Sequence, residues 1–369
     1  MGHCFKQERD TLQAIRSIDN PYLIKPIAAF QFHNEENGSF LFPWAEGGNM
    51  REFWKQETVR PHREPMMMDW VLKQMCGLCH ALSILHDKTY RHGDLKPENI
   101  LLFDEGDYKG TLRIADVGLA KFHEATTEVR QKMALVTKTQ TGTMHYVSPE
   151  FFNSDQIPRV FDVWSLGCIY IEFLIWILYG NDQLVEFNNS RFDHFWENIN
   201  SQYVVHSHVN TILARLAEDL KGPETALSDI LAVITSKMLV PDFRTRARSE
   251  EVHDLLEKVY RRAMGDPGYL IQSDIWTRIS TRSVPFRRPM SQNLGVPGAG
   301  PSPRQPQPFQ QSETQNYQIS DGSDGTPAIM VQGADSGAAN NGLILPTSTR
   351  IAREVCLPST KVVLFEIMN

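Results

Sequence analysis

Apolar positions along the first 50 residues change period twice. Phe5, Leu12, Ile15 and Ile18 recur at helical spacing, which predicts a helix over 5–18 that Asp19-Asn20-Pro21 stops. Tyr22 to Phe32 then reads as an extended apolar stretch, Asn34-Glu35-Glu36-Asn37-Gly38 as a turn, and Ser39-Phe40-Leu41-Phe42 as a second extended run. Together they signal a β-hairpin with a longer loop. Glu46-Gly47-Gly48-Asn49 interrupts the pattern again, and Asp69 is expected to cap a long amphipathic helix reaching about His86. Beyond residue 120, the segments 161–179, 208–220, 224–239 and 249–263 carry helical periodicity. Strands come first and helices later, which is the order of an α+β fold.

Composition divides the chain. Of the 52 residues from Ser291 to Gly342, 28 are Gly, Gln, Pro or Ser and five are charged. Such a stretch buries too little apolar area to offset its ordering entropy, so disorder is expected there. We therefore expect a domain over 1–262 and a linker with a Gln/Pro/Gly/Ser-rich tail over 263–369. Within that tail Lys361 to Ile367 is mostly apolar and strand-like, either without a partner or as a docking peptide.

The formal charge of −7 argues against a nucleic-acid partner held by bulk positive charge. Five cysteines in 369 residues are too few for a secreted disulfide scaffold. The opening residues, Met1 to Asp10, are polar and charged, so no secretory signal is expected. The most apolar run, Ile169 to Tyr179, has eleven residues and includes Glu172, whereas a membrane-spanning helix needs about 20, so it reads as a buried core helix. The expected location is cytoplasmic or nuclear, with no membrane partner; the oligomeric state stays open.

Four motifs carry chemistry. They are His92-Gly93-Asp94-Leu95-Lys96-Pro97-Glu98-Asn99-Ile100-Leu101-Leu102, then Ile114-Ala115-Asp116-Val117-Gly118, then Gly142-Thr143-Met144-His145-Tyr146-Val147-Ser148-Pro149-Glu150, and Asp162-Val163-Trp164-Ser165-Leu166-Gly167-Cys168. In this order and at these separations they resemble the catalytic loop, the metal-binding D-F-G segment, the end of the activation segment and the following core helix of eukaryotic protein kinases. Lys96 in D-L-K-P-E-N and Thr143 resemble the serine/threonine branch.

The resemblance implies a two-lobed fold with a mainly helical large lobe, ATP and Mg²⁺ as cofactors, and a protein substrate. It implies that Asp94 accepts the substrate hydroxyl's proton, that Lys96 screens the transferring phosphate, and that Asn99 and Asp116 offer oxygens to Mg²⁺. It also implies structural roles: Glu150 pairs with a buried arginine, Arg246 ahead of Arg244, and Asp162 anchors the catalytic-loop backbone.

Phe42-Pro43-Trp44-Ala45-Glu46-Gly47-Gly48-Asn49 resembles the kinase hinge. Phe42 would stand at the gatekeeper position, Ala45 would offer its N–H and C=O to adenine, Asn49 would meet the ribose, and Leu101 would add a further nucleotide contact. Glu8 matches the small-lobe glutamate that pairs with the ATP-binding lysine. No G-x-G-x-x-G loop and no V-A-I-K lysine occurs in these residues, so the small-lobe sheet is expected to be incomplete and phosphoryl transfer poor, the alternative being a pseudokinase scaffold. Two departures stand out: Gly93 replaces the arginine that grips an activation-segment phosphate, which would uncouple activity from Thr137, Thr139 and Thr141, and Val117 replaces phenylalanine. Cys76-Gly77-Leu78-Cys79 is a C-x-x-C without a second pair, read as core packing within a helix.

Overall fold

The computed structural model describes residues 12–13, 15–31, 38–56, 64–106, 108–117, 144–154, 157–190, 193–222, 224–270, 275–276 and 279. It further describes the strand backbone of 318–321, 327–330, 350–357 and 360–367. Glu8 and the threonines 137, 139 and 141 lie outside the described residues, as does most of the stretch from Ser291 to Gly342.

Two antiparallel strands, β1 (Ala28–Gln31) and β2 (Gly38–Pro43), form the expected hairpin in the register Ala28↔Leu41 to Gln31↔Gly38. The extended stretch is shorter than its apolar pattern suggests. Tyr22 and Ile24 instead bond the backbone of Ile114, through Ile114 N–H to Tyr22 O (2.8 Å) and Ile24 N–H to Ile114 O (3.0 Å). Of the helix expected over 5–18, Leu12–Gln13 and Ile15–Arg16 are described as helical, and Leu12, Ile15 and Ile18 are buried, the face their spacing marked.

The large lobe begins with α1 (Met50–Gln56) and α2 (Pro65–Asp87). The latter starts four residues ahead of Asp69: Pro65 takes the first helical position and Glu64 precedes it without a side-chain cap. Proline costs nothing there because the first N–H groups have no intrahelical partner, and the buried Met67 and Met68 extend the apolar face into this turn. Strands β3 (Ile100–Phe103) and β4 (Thr111–Ile114) pair antiparallel. They are fastened to α2 by Trp70 Nε1–H to Gly110 O (2.7 Å) and Leu112 N–H to Gln74 Oε1 (2.9 Å).

Helix α3 (Val160–Tyr179) runs through the centre, with every residue from Phe161 to Leu178 buried. It is long and apolar enough to cross a membrane by composition, but 94% of its most apolar window is covered by protein. Rings from three helices meet there: Phe53 of α1 lies 5.3 Å from Trp70 of α2 and 5.4 Å from Trp176 of α3. Each such pair contributes about 0.5–1.5 kcal/mol beyond its area burial.

Then follow α4 (Asn181–Asn188), the β5–β6 hairpin (Trp196–Ile199, Gln202–Val205), α5 (Ser207–Asp219), α6 (Ala226–Val233) and α7 (Ser249–Gly265). Thr225 and Ser228 form a capping box at the start of α6, which continues as a π-helical turn over Ile234–Met238. α7 packs on α2, where the C-x-x-C thiols make hydrogen bonds: Cys76 to Glu257 (3.2 Å) and Cys79 to Ser249 O (3.6 Å).

Late segments also form strands. β7 (Gln318–Asp321) pairs with β8 (Pro327–Met330), and β9 (Arg350–Leu357) with β10 (Thr360–Ile367). β10 contains the strand-like run Lys361–Ile367 and it has a partner. It lies antiparallel on the free side of β2, from Val362↔Pro43 to Ile367↔Gly38, giving one sheet of order β1-β2-β10-β9.

Candidate active site

The catalytic loop hangs from one carboxylate. Asp162, in the first turn of α3 and fully buried, accepts the backbone N–H of His92 (2.7 Å) and of Gly93 (2.8 Å), and is bonded by His86 Nε2 (2.9 Å). His86 Nδ1 is in turn 2.8 Å from Ser249 Oγ. Burial alone would raise the Asp162 pKa; the His86 hydrogen bond, the two nearby imidazoles and the Gly93 N–H outweigh it and hold the group below its ordinary value.

His92 is fully buried with a lowered pKa, because burial disfavours its charged form more than Asp162 and the Ala115 carbonyl favour it. Its Nε2 is 2.7 Å from Ala115 O, an acceptor only, so that nitrogen carries the proton. Nδ1 then accepts the Asp94 N–H (3.3 Å). A neutral imidazole of fixed tautomer thereby joins the start of the catalytic loop to the residue before Asp116.

Three predicted residues meet at Asp94. Lys96 Nζ donates to Asp94 Oδ2 at 2.8 Å, and Asn99 Nδ2 donates to Asp94 O (2.8 Å) and Oδ2 (3.1 Å). Asp94 and Lys96 keep about a fifth of their side chains exposed (18% each), so the carboxylate is held yet reachable. The Asn99 carbonyl accepts the N–H of Ala115 (2.9 Å), which brings Asp116 to the same loop. Asp116 has φ 65°, a left-handed backbone uncommon for a residue with a side chain, and such strain concentrates at functional sites.

Gly93 sits at φ 79°, where the absent Cβ removes a steric cost that an arginine would bear. Asn99 turns its nitrogen to Asp94, so its amide oxygen is the atom available for a ligand. That oxygen and a carboxylate oxygen of Asp116 are the donor type Mg²⁺ prefers, and these two residues would hold it.

The hinge residues also converge. Gly47 N–H bonds Leu102 O (3.1 Å) and Leu102 N–H bonds Gly48 O (2.9 Å), so the segment after the hinge lies on β3, with Asn49 bridged to Leu101. A Cβ on Gly47 would meet the Leu102 side chain at 2.6 Å; only glycine permits this approach. Asn49 and Leu101 are thus neighbours, and buried Phe42, on β2, lies three residues ahead of Ala45. The Ala45 carbonyl already accepts Gly48 N–H (3.1 Å) and retains its second lone pair. Asn49 has a task its sequence reading missed: Oδ1 accepts Glu52 N–H (3.0 Å) while Glu52 Oε2 accepts Asn49 N–H (3.1 Å), a reciprocal cap on α1.

Arg246 is the partner of Glu150, by two parallel bonds of 2.6 and 2.9 Å, with further bonds to Val240 O and Val160 O. Arg244 is exposed and faces Asp242. A second, partly buried network lay beyond sequence reasoning. Arg51 Nε bonds Glu98 of the catalytic loop (2.5 Å), its guanidinium also bonds Tyr146 Oη, and Tyr146 Oη–H bonds Glu172 (2.8 Å). Glu172 is fully buried and pushed up to about 7, burial outweighing Arg51 and the tyrosine. The network ties the catalytic loop, the segment after Thr143 and α3 together. A lone glutamate inside an apolar run was the available signal, since a buried carboxyl needs partners.

These features define a kinase-type catalytic domain. The chain belongs to the protein kinase domain family, whose sequence profile matches residues 4–264. It is similar to the serine/threonine-protein kinase PKH3 of Eremothecium gossypii, 31% identical over 167 residues that cover 45% of this chain and 21% of that protein. Mouse serine/threonine-protein kinase Nek1 is 27% identical over 169 residues, 45% of this chain and 12% of that protein. Serine/threonine-protein kinase nekl-2 of Caenorhabditis elegans is 29% identical over 188 residues, 46% of each. The chain therefore spans less than half the length of these relatives.

Proposed function

We propose that the chain transfers the γ-phosphoryl group of ATP to serine or threonine hydroxyls of a protein. The observation that carries this reading is the convergence of Lys96 and Asn99 on the Asp94 carboxylate. The substrate oxygen attacks the γ-phosphorus, the bond to the bridging β–γ oxygen breaks, ADP leaves, and the hydroxyl proton passes to the Asp94 carboxylate. Lys96, bonded to Oδ2 of that carboxylate, keeps a positive charge where the phosphoryl oxygens crowd. Mg²⁺ would supply charge neutralisation on the phosphates, held by Asn99 and Asp116. Ala45 would read the adenine edge through its backbone, with Phe42 limiting the depth of the pocket and Leu101 lining it.

Gly93 and Val117, which stand where the family pattern carries arginine and phenylalanine, prompt a second reading, a kinase-shaped binding scaffold. Radiolabel transfer from ATP to a generic protein substrate separates the two. Incorporation that Asp94→Ala abolishes supports the enzyme, whereas incorporation unchanged by Asp94→Ala, or none in the presence of Mg²⁺, refutes it. A thermal shift with Mg·ATP is the companion measurement: a ligand at a hundred times its dissociation constant stabilises by about 2.7 kcal/mol.

A further inference from the structure

The sheet that carries the hinge is built from both ends of the chain. β1 covers one side of β2 over four residue pairs; the other side is covered over six pairs by β10, itself paired to β9 over eight. Among the described residues, the late hairpin supplies two of the four strands of this sheet; β1 and β2 by themselves would be a two-stranded unit, which is marginal in water.

β2 itself reads as an interior strand. Ser39, Phe40, Leu41 and Phe42 are all buried, although successive side chains point to opposite faces. A strand covered on both faces and left open along one edge would be a template for pairing with another chain. The sequence of β10, Thr-Lys-Val-Val-Leu-Phe-Glu-Ile, has the β-branched and aromatic content of a strand that fills such an edge.

We propose that the edge of β2 is a strand-docking site whose occupant is this chain's own segment 350–367, and that the seated hairpin holds the hinge in its nucleotide-binding form. The hinge consequence rests on the function proposed above; the docking does not. β2 runs directly into Trp44 and Ala45, so any change in its pairing is transmitted to the backbone groups that face adenine. The C-terminal hairpin is then a part of the small lobe, linked to nucleotide binding through six residue pairs.

Two measurements on the full-length chain test this. In a background with Cys4→Ser and Cys356→Ser, the pair Ser39→Cys and Glu366→Cys, which face each other across the ladder, should form an intramolecular disulfide visible by mass on oxidation. The offset pair Ser39→Cys and Val363→Cys should not. A disulfide that appears only between two molecules would show a second copy in the site and overturn the proposal, as would equal cross-linking of both pairs or none of either.

In the otherwise unaltered chain, Leu364→Pro removes a ladder position in the middle of β10. Amide exchange at Ser39 to Phe42 should then rise about tenfold or more while α3 stays protected, and Mg·ADP affinity should fall. Unchanged exchange would refute the docking. Faster exchange with unchanged Mg·ADP affinity would refute the link to the hinge. Because the disulfide and the exchange need no nucleotide, failure of the docking and failure of the kinase reading are seen separately.

Discussion

The catalytic loop and the hinge-bearing sheet are held by different kinds of bond. Around Asp94 the backbone is fixed by buried side chains: Asp162 takes two N–H groups, His92 one more, and Arg246 with Glu150 clamps the segment beyond. In the sheet, β2 is fixed by main-chain ladders on both sides, to β1 and to β10. A side-chain anchor is lost by one substitution; a ladder tolerates most side-chain changes and fails by losing register or a strand. The first region is therefore sensitive to single residues, and the second to the presence of a distant segment.

The largest expected effect probes the first region alone. Arg246→Ala leaves Glu150 buried and unpaired, which costs about 3–5 kcal/mol, while Arg244→Ala, at an exposed site, should change stability by less than about 0.5 kcal/mol. Chemical denaturation measures both. If Arg246→Ala also speeds amide exchange in β2 while the fold persists, the two regions form one cooperative unit and the contrast fails.

Next in size is Asp162→Asn, which loses an acceptor and leaves a buried N–H unpaired, costing about 2–3 kcal/mol near neutral pH. The pH dependence has a definite sign. The folded-state pKa values of Asp162 and His92 are both lowered, so their contribution is complete above the ordinary histidine range. It declines as pH falls below about 6.5 for His92 and below about 4 for Asp162. Stability against urea from pH 8 to 3 should follow this course in the parent and lose its steepest acid portion in Asp162→Asn. An unchanged acid limb would show that Asp162 is not the anchor.

The smallest effect belongs to Glu172. Its folded pKa is raised to about 7, so the stability linked to its protonation is complete in acid and is lost as pH rises through 7. Glu172→Gln should be more stable than the parent at pH 8 and close to it at pH 5. The reverse order would place a charged carboxylate in the Arg51 network at neutral pH.

The same contrast explains what was legible in the sequence. Asp94, Lys96 and Asn99 are close along the chain and carried by one contiguous motif, so their meeting could be read directly. The choice of Arg246 over Arg244 was legible by the same family pattern. The tie between Arg51, Glu98 and Tyr146 was not, because it joins segments 47 and 95 residues apart that each look ordinary alone. The start of α2 at Pro65 was hidden because Asp69 offered a stronger capping signal than Glu64. The place of β10 was least legible of all: periodicity marked it as a strand, but pairing to a segment more than 300 residues earlier leaves no trace in local pattern.

Pro43 is where these two modes of support meet. As the last residue of β2 it pairs with Val362, yet it has no N–H to give to a neighbouring strand. Lateral bonding therefore loses a donor one step before Trp44 and Ala45. The ladder to the strand from the far end of the chain thus ends at Pro43, and its hold on Trp44 and Ala45 passes along the main chain.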